Sequence, residues 1–332
     1  MPPADATSVE RFVPSVDAYA ALAAIYNAAN PEDMRPETFY RALDRERPAD
    51  HFFRRYLLRV AGEPAGFGEL GVHPVQPRPG HYDLFFVVVP SFDDTQPAGL
   101  TTTFYRHLCA ALAPQQPERI ITESRSDRQA QVAFLAREGF RIVQREPRSR
   151  LDLTAFDPAA FAPQLAAVTA PGIRLSPLST LQREDPDWEE KLYAVDWAYR
   201  QDMPSPYPRV REPLAQWRRR LRRPWFRADG VFVARDDRAG GLYVGSSGIA
   251  IIPSQPWRGW TTTTGVRRAY RRRGIARALK VETLRWARDQ GVTEVVTGNE
   301  AANPMLALNL QLGFRPQFEQ LVLEKRLPPT TR

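Results

Sequence analysis

The chain has 332 residues, of which 43% are hydrophobic and 25% charged, and a formal net charge of +8 at neutral pH. That length exceeds what one compact core usually fills, so about two domains of ordinary globular composition are expected. No apolar run approaches the roughly 18 residues of a membrane-spanning helix, and the N-terminus lacks the basic start and apolar core of a secretory signal. One cysteine, Cys109, excludes an internal disulfide and a cysteine-only zinc site. A cytoplasmic protein is expected, with no membrane contact and no metal. From residue 172 onward there are 28 Lys and Arg against 17 Asp and Glu, whereas residues 1–171 hold 18 against 21. The positive excess therefore lies in the second half, where it suits a polyanionic ligand. Arginine supplies 43 of the 46 cations, the exceptions being Lys191, Lys280 and Lys325.

Two long segments share one order of elements. An amphipathic helix over residues 16–30 and a second over 36–47 precede strand-like runs at 54–60, 66–72 and 82–89. A helix over 99–113, a short strand at 120–122, a further helix, the pair Gly139-Phe140 and a last strand complete the first copy. The second copy repeats this with helices at 188–201 and 211–223 and strands at 230–235, 242–252 and 260–266. A helix over 274–290, a strand at 294–297, another helix, Gly313-Phe314 and a final strand follow. A repeat of this size is a duplicated domain. The Pro- and Ala-rich residues 156–171 read as the linker, giving domains 1–155 and 172–332.

The most informative stretch is Thr264 to Lys280. A strand ends at Val266, a basic loop holds Arg271, Arg272 and Arg273, and Gly274 opens a helix containing Ile275 and Ala276. Unpaired amides and the positive dipole end at a helix N-terminus favour a phosphate, and small residues at 274 and 276 leave it room. A bare basic loop capping an ordinary helix would look similar in isolation. The segment resembles the GNAT superfamily of acyl-CoA-dependent N-acetyltransferases, whose pyrophosphate motif Arg/Gln-x-x-Gly-x-Gly/Ala is met by Arg271-x-x-Gly274-x-Ala276. Residues 297–314 strengthen the resemblance through Thr297, Asn299, Asn303, Leu306, Asn309 and Leu312-Gly313-Phe314. The resemblance implies two tandem α/β domains, each with a mixed, mostly antiparallel sheet flanked by helices. It also implies acetyl-CoA as cosubstrate, with Asn299 and Asn303 near its pantetheine arm and a backbone N–H near Val266 on the thioester carbonyl. Asn303 before Pro304 also suits a helix N-cap.

One departure concerns the proton donor. Many members place a tyrosine four residues before the glycine, where this chain has Asn309, which cannot supply a proton at neutral pH. Water, Tyr270 or Tyr243 are the alternatives. All four histidines (His51, His73, His81, His107) lie in the first half, so Glu300 is the leading candidate base for the second domain, with Asp196 and Asp202 behind it. In the first copy Val88, Pro90 and Gln96-x-x-Gly99 match the start of the motif. Thr101 replaces the small residue, and Asp93 and Asp94 would repel a pyrophosphate, so that copy is expected to have lost cofactor binding. Cys109 reads as a small buried hydrophobe.

The sequence thus points to acetyl transfer onto a small-molecule amine, whether an aminoglycoside, another amine antibiotic, a polyamine or a simple amino compound. A non-catalytic acyl-CoA-binding module is the alternative. Nucleic-acid binding through Arg218–Arg220 and the 267–273 run, with Trp217 and Trp225 stacking, is the weaker third reading. A homodimer is left open.

Overall fold

The computed structural model describes residues 7–73, 77–93, 99–203, 208–301 and 303–328. Contacts divide the chain into two compact units that do not follow the boundaries expected from sequence. One comprises Met1–Ser124, Arg128–Val143 and Leu321–Arg332; the other comprises Arg125–Asp127 and Gln144–Gln320.

In the first unit a short strand, β1 (Thr7–Arg11), lies antiparallel to β2 (Phe53–Val60), which pairs in turn with β3 (Glu63–Gly71) and β4 (His81–Val88). β4 then pairs in parallel with β5 (Arg119–Arg125). One face is covered by α1 (Val16–Ala29) and α2 (Glu37–Glu46), which bury Leu22, Ile25 and Tyr40 against Leu57, Phe67 and Val87. The other carries α3 (Pro90–Asp93), α4 (Leu100–Leu112) and α5 (Gln129–Arg137), with Phe104, Leu108 and Phe134 inside. Leu321 and Leu323, from the C-terminal end of the chain, complete this second core. The glycine turn survives, since Gly99 caps α4 with φ +67, but Asp94 and Gln96 lie outside the described residues. Cys109 is half-buried beside the core, where burial pushes its thiol up, as expected of an inert cysteine.

Apart from Arg125–Asp127, the second unit starts within β6 (Arg141–Asp152), whose residues 148–152 pair antiparallel with residues 294–298. Residues 156–171 are not a linker. They form a 3-10 turn and α6 (Ala162–Thr169), with Phe156, Phe161, Leu165 and Val168 packed into the second unit's cores. Alanine is the best helix former and proline is tolerated in a first turn, so the composition read as punctuation folds as a helix. β7 (Ile173–Pro177), α7 (Leu178–Glu184), α8 (Trp188–Arg200) and α9 (Leu214–Arg220) follow. The sheet then continues through β8 (Val231–Asp236), β9 (Leu242–Ile251), β10 (Arg258–Thr261) and β11 (Gly265–Val266). After these come α10 (Ile275–Asp289), β12 (Glu294–Gly298), α11 (Pro304–Gln311) and β13 (Arg315–Arg326), the last shared between the units. Strand order here is β6-β12-β10-β9-β8-β7, antiparallel except for the β10–β12 pair, with β11 attached to β9.

The expected strand at 260–266 is in fact two strands. β10 runs parallel to β12 only as far as Trp260 opposite Val296, after which Thr261 Oγ1 donates to Thr297 Oγ1 at 2.6 Å. Beyond that point β11 pairs with β9 alone, so the sheet opens between β11 and β12. Among the described residues no helix is long and apolar enough to cross a membrane.

Candidate active site

The opening leads into a cleft of about 930 Å3 in the second unit. Val266, Arg271, Arg272, Ala276, Asn299 and Asn303 all line it, so most of the residues nominated from sequence converge. The loop before α10 is bent by two left-handed residues, Arg272 with φ +63 and Gly274 with φ +79. A positive φ is uncommon for arginine and marks a conformation held by its surroundings. The first backbone bond into the helix runs from the Ala278 N–H to the Gly274 carbonyl at 3.0 Å. Amides 274–277 therefore have no carbonyl partner among the described residues. Together with the dipole of a 15-residue helix, they form an anion cradle.

Four nominated residues play other parts. Ile275 is buried in the core under the helix, touching Leu279 and neighbours rather than the cleft. Arg273 is exposed, donates to the Ala269 carbonyl at 3.1 Å and rests over the Tyr270 ring. Gly274 is required by its backbone angle and by Val168, whose Cγ2 would stand 3.2 Å from an added Cβ. Glu300 follows β12 in the turn where the Asn303 N–H bonds to its carbonyl, and it is not among the residues lining the cleft. Arg271 is only partly available, because its Nε donates to the Val266 carbonyl at 3.0 Å and its guanidinium pairs with Asp202 at 2.5 Å.

The cleft's own carboxylates are Asp196 and Asp202, and both are pinned. Asp196 is 8% exposed; it accepts from Arg200 at 2.8 Å, Tyr199 at 2.8 Å, Trp217 at 3.1 Å and Arg220 at 3.2 Å. Burial pushes its pKa up, but Arg200 and Arg220 outweigh burial and hold it below the usual carboxylate range. Asp202 is held at about 2, chiefly by the hydrogen bond from Arg268 and then by Arg271. Carboxylates so stabilised as anions are weak proton acceptors near neutral pH. Hydroxyls are more numerous on this wall. Ser246 Oγ lies 2.9 Å from the Tyr199 hydroxyl, linking the cleft to Asp196, and Ser247 Oγ meets Thr264 Oγ1 at 2.9 Å. Tyr199 packs flat on Gly265, where an added Cβ would lie 2.1 Å from its ring.

Asn309 is fully buried, and its side-chain amide donates to Asn299 Oδ1 at 2.5 Å. It orients a cleft residue without lining the cleft itself, so it is a positioning residue. If the cleft carries out the acyl transfer that the resemblance implies, Asn309→Ala is expected to slow turnover by less than about tenfold, read from kcat at saturating acyl donor. Asn303 does cap α11, its side chain accepting from the Met305 N–H at 3.0 Å, while also lining the cleft. The tyrosines considered as proton donors face elsewhere. Tyr243 donates to Asp185 and Tyr270 to Asp236, each at 2.9 Å, and neither lines the cleft. Trp217 is enclosed, so it offers no stacking face to a nucleic acid.

Several cleft residues are not evident from the sequence, and Lys280 is the most unusual of them chemically. Lys280 stands one turn after Ala276 on α10, lines the cleft and is 3% exposed. Two signals were available: its i+4 spacing from Ala276, and its being a lysine in a chain that otherwise uses arginine.

Residues 192–314 match the acetyltransferase (GNAT) family. The match lies wholly within the second unit. No curated protein sequence matches the chain. Among solved structures, a tandem GNAT protein from the clavulanic acid biosynthesis pathway covers 98% of this chain and all of its own, with TM-score 0.76 and 18% identity. A GCN5-related N-acetyltransferase from Sphaerobacter thermophilus covers 98% of each chain, with TM-score 0.67 and 19% identity. A GCN5-related glucosamine N-acetyltransferase region of a fungal multi-domain β-N-acetylglucosaminidase covers 97% of this chain and 38% of that one, with TM-score 0.71 and 16% identity. At such identities the likeness is one of fold: over 98% of its length the chain has the fold of a tandem GNAT protein. The chemistry of the GNAT family is acyl transfer.

Proposed function

We propose that the second unit transfers an acetyl group from acetyl-CoA to the amine of a small molecule, in the cytoplasm. The observation that carries this reading is the opening between β11 and β12, set against the amides of residues 274–277. Two left-handed residues and the Arg272 side chain add to that cradle, which suits a pyrophosphate in charge.

When bound, acetyl-CoA supplies an electrophilic thioester carbonyl. Amides 274–277 and Arg272 would hold its diphosphate. Asn299 and Asn303 would meet the amide-bearing arm, and the edge of β11 away from β9 would present backbone groups to the carbonyl. The acceptor would enter between α8, α9 and β9, a wall that combines Trp225 and Phe226 with the hydroxyls of Ser246, Ser247 and Thr261–Thr264. No carboxylate lining that wall is free to act as a strong base, so the amine is best taken as its neutral form, with Ser246 its candidate hydrogen-bond partner. The first unit, with Thr101 in place of the small cradle residue, is proposed to be silent towards the cosubstrate.

The pinned state of Asp196 and Asp202, with Asn309 turned to Asn299, also favours a second reading: an acyl-CoA-binding module without turnover. Calorimetric titration with acetyl-CoA, followed by an amine panel, separates the two. One site per chain with acetylation of an amine is expected. One site with no acetylation favours the module, two sites would mean that the first unit also binds, and none would overturn both readings.

A further inference from the structure

We propose that Lys280 is the proton donor to the departing thiolate, the task for which Asn309 is chemically unsuited. The inference rests on the acetyl-transfer reading above and deepens it.

Lys280 is almost wholly enclosed, yet it lines the same cleft as Ala276, Asn299 and Asn303. Its Nζ lies 5.6 Å from the centroid of the Phe314 ring, and the Phe314 N–H bonds to the Asn309 carbonyl at 3.0 Å. Lys280 and Asn309 thus both adjoin Phe314, the ammonium at its ring and the asparagine at its backbone. No hydrogen bond or ion pair to it is found among the described residues. The cleft residues contributed by β12, the turn after it and α11 (Thr297, Gly298, Asn299, Asn303, Pro304 and Met305) are all uncharged. Arg271 and Arg272 line the cleft from the loop before α10, and Asp202 is committed to Arg268 and Arg271.

An enclosed cation without a counter-ion is costly and serves packing poorly. A leucine or methionine would fill this place on α10 at no such cost. Nor is the residue interchangeable with the chain's usual cation, since a guanidinium does not release its proton in proteins and an ammonium does. Burial lowers the Lys280 ammonium to about 8, near the pH at which a donor must give and regain its proton.

The balance is as follows. The neutral acceptor nitrogen forms a C–N bond to the carbonyl carbon, and the C–S bond breaks with its electron pair passing to sulfur. Sulfur takes a proton from Lys280 Nζ, giving the free thiol and a neutral amine. The proton lost by the acceptor nitrogen passes to water, from which Lys280 recovers its own.

The test uses the full chain labelled with [13C]lysine, which has only three lysine side chains to resolve; the Lys280→Met variant assigns the signal. CoA is expected to shift the Lys280 titration midpoint by about half a pH unit or more beyond the shift caused by desulfo-CoA, which carries the same phosphates. The thiol of bound CoA, followed by thiolate absorbance, is expected to titrate below its free value in the native protein and at about the free value in Lys280→Met. Equal responses to CoA and desulfo-CoA, or a thiol unaffected by Lys280→Met, would overturn the proposal while leaving acetyl transfer standing. Failure of the native protein to bind CoA would overturn the acetyl-transfer reading, and this one with it.

Discussion

Replacing Ala276 with glutamate is expected to weaken acetyl-CoA binding by about a hundredfold or more in a protein that still folds. Ala276 lines the cleft and is the second residue of α10. A glutamate there would thrust bulk and negative charge among the amides that would otherwise receive a diphosphate. The same carboxylate is favourable to the isolated helix, because an anion in the first turn opposes the positive dipole end by roughly 0.3–1 kcal/mol. Binding and stability should therefore move in opposite directions, or stability should stay level. Calorimetric titration beside thermal unfolding checks both. Retained affinity in a folded variant would mean that the cradle is not the cosubstrate site.

Lys280→Met is expected to stabilise the protein at pH 7 by about 3 kcal/mol, the equivalent of lowering an ammonium from 10.5 to about 8. The sign follows from proton counting. Between pH 8 and 10.5 the unfolded chain holds a proton on this lysine that the folded chain has shed, so native stability rises with pH across that window. Below about 8 the penalty is present in full, and above 10.5 it is gone. The variant should lose this slope, and the gap between the two proteins should close as pH rises. Denaturant unfolding at pH 7 and pH 10 measures it. A variant less stable than the native protein at pH 7 would mean that the ammonium has a compensating partner. A gain in stability alongside the lost thiol effect would be the pattern of a residue kept for function at a cost to the fold.

Much of the site was legible from local sequence because it depends on short-range rules. The run from Val266 to Ala276 specifies strand, basic loop and helix N-terminus through residue type alone, and the structure brings Val266, Arg271, Arg272 and Ala276 to one cleft. The block from Asn299 to Phe314 was readable for the same reason: Asn303 before Pro304 caps a helix whatever lies around it. Other roles hinge on which way a side chain leaves its helix or turn. Ile275 points into the core and Asn309 is committed to Asn299, while Glu300 sits in a turn off the cleft; the spacing of residues did not reveal this.

The duplicated order of elements, the GNAT character of the second half and the cradle were determined by the sequence itself, because periodicity, capping and turn chemistry act over a few residues. Tertiary structure decided the rest. Ala162–Thr169 became a helix in the second unit because Leu165 and Val168 found a core to fill, and Leu321 and Leu323 joined the first unit's core from the far end of the chain. Asp196 was withdrawn from base catalysis by Arg200 and Arg220, which reach it from 4 and 24 residues away. Lys280 became exceptional only through enclosure, since an ammonium on one turn of a helix is ordinary until the surrounding fold removes its water.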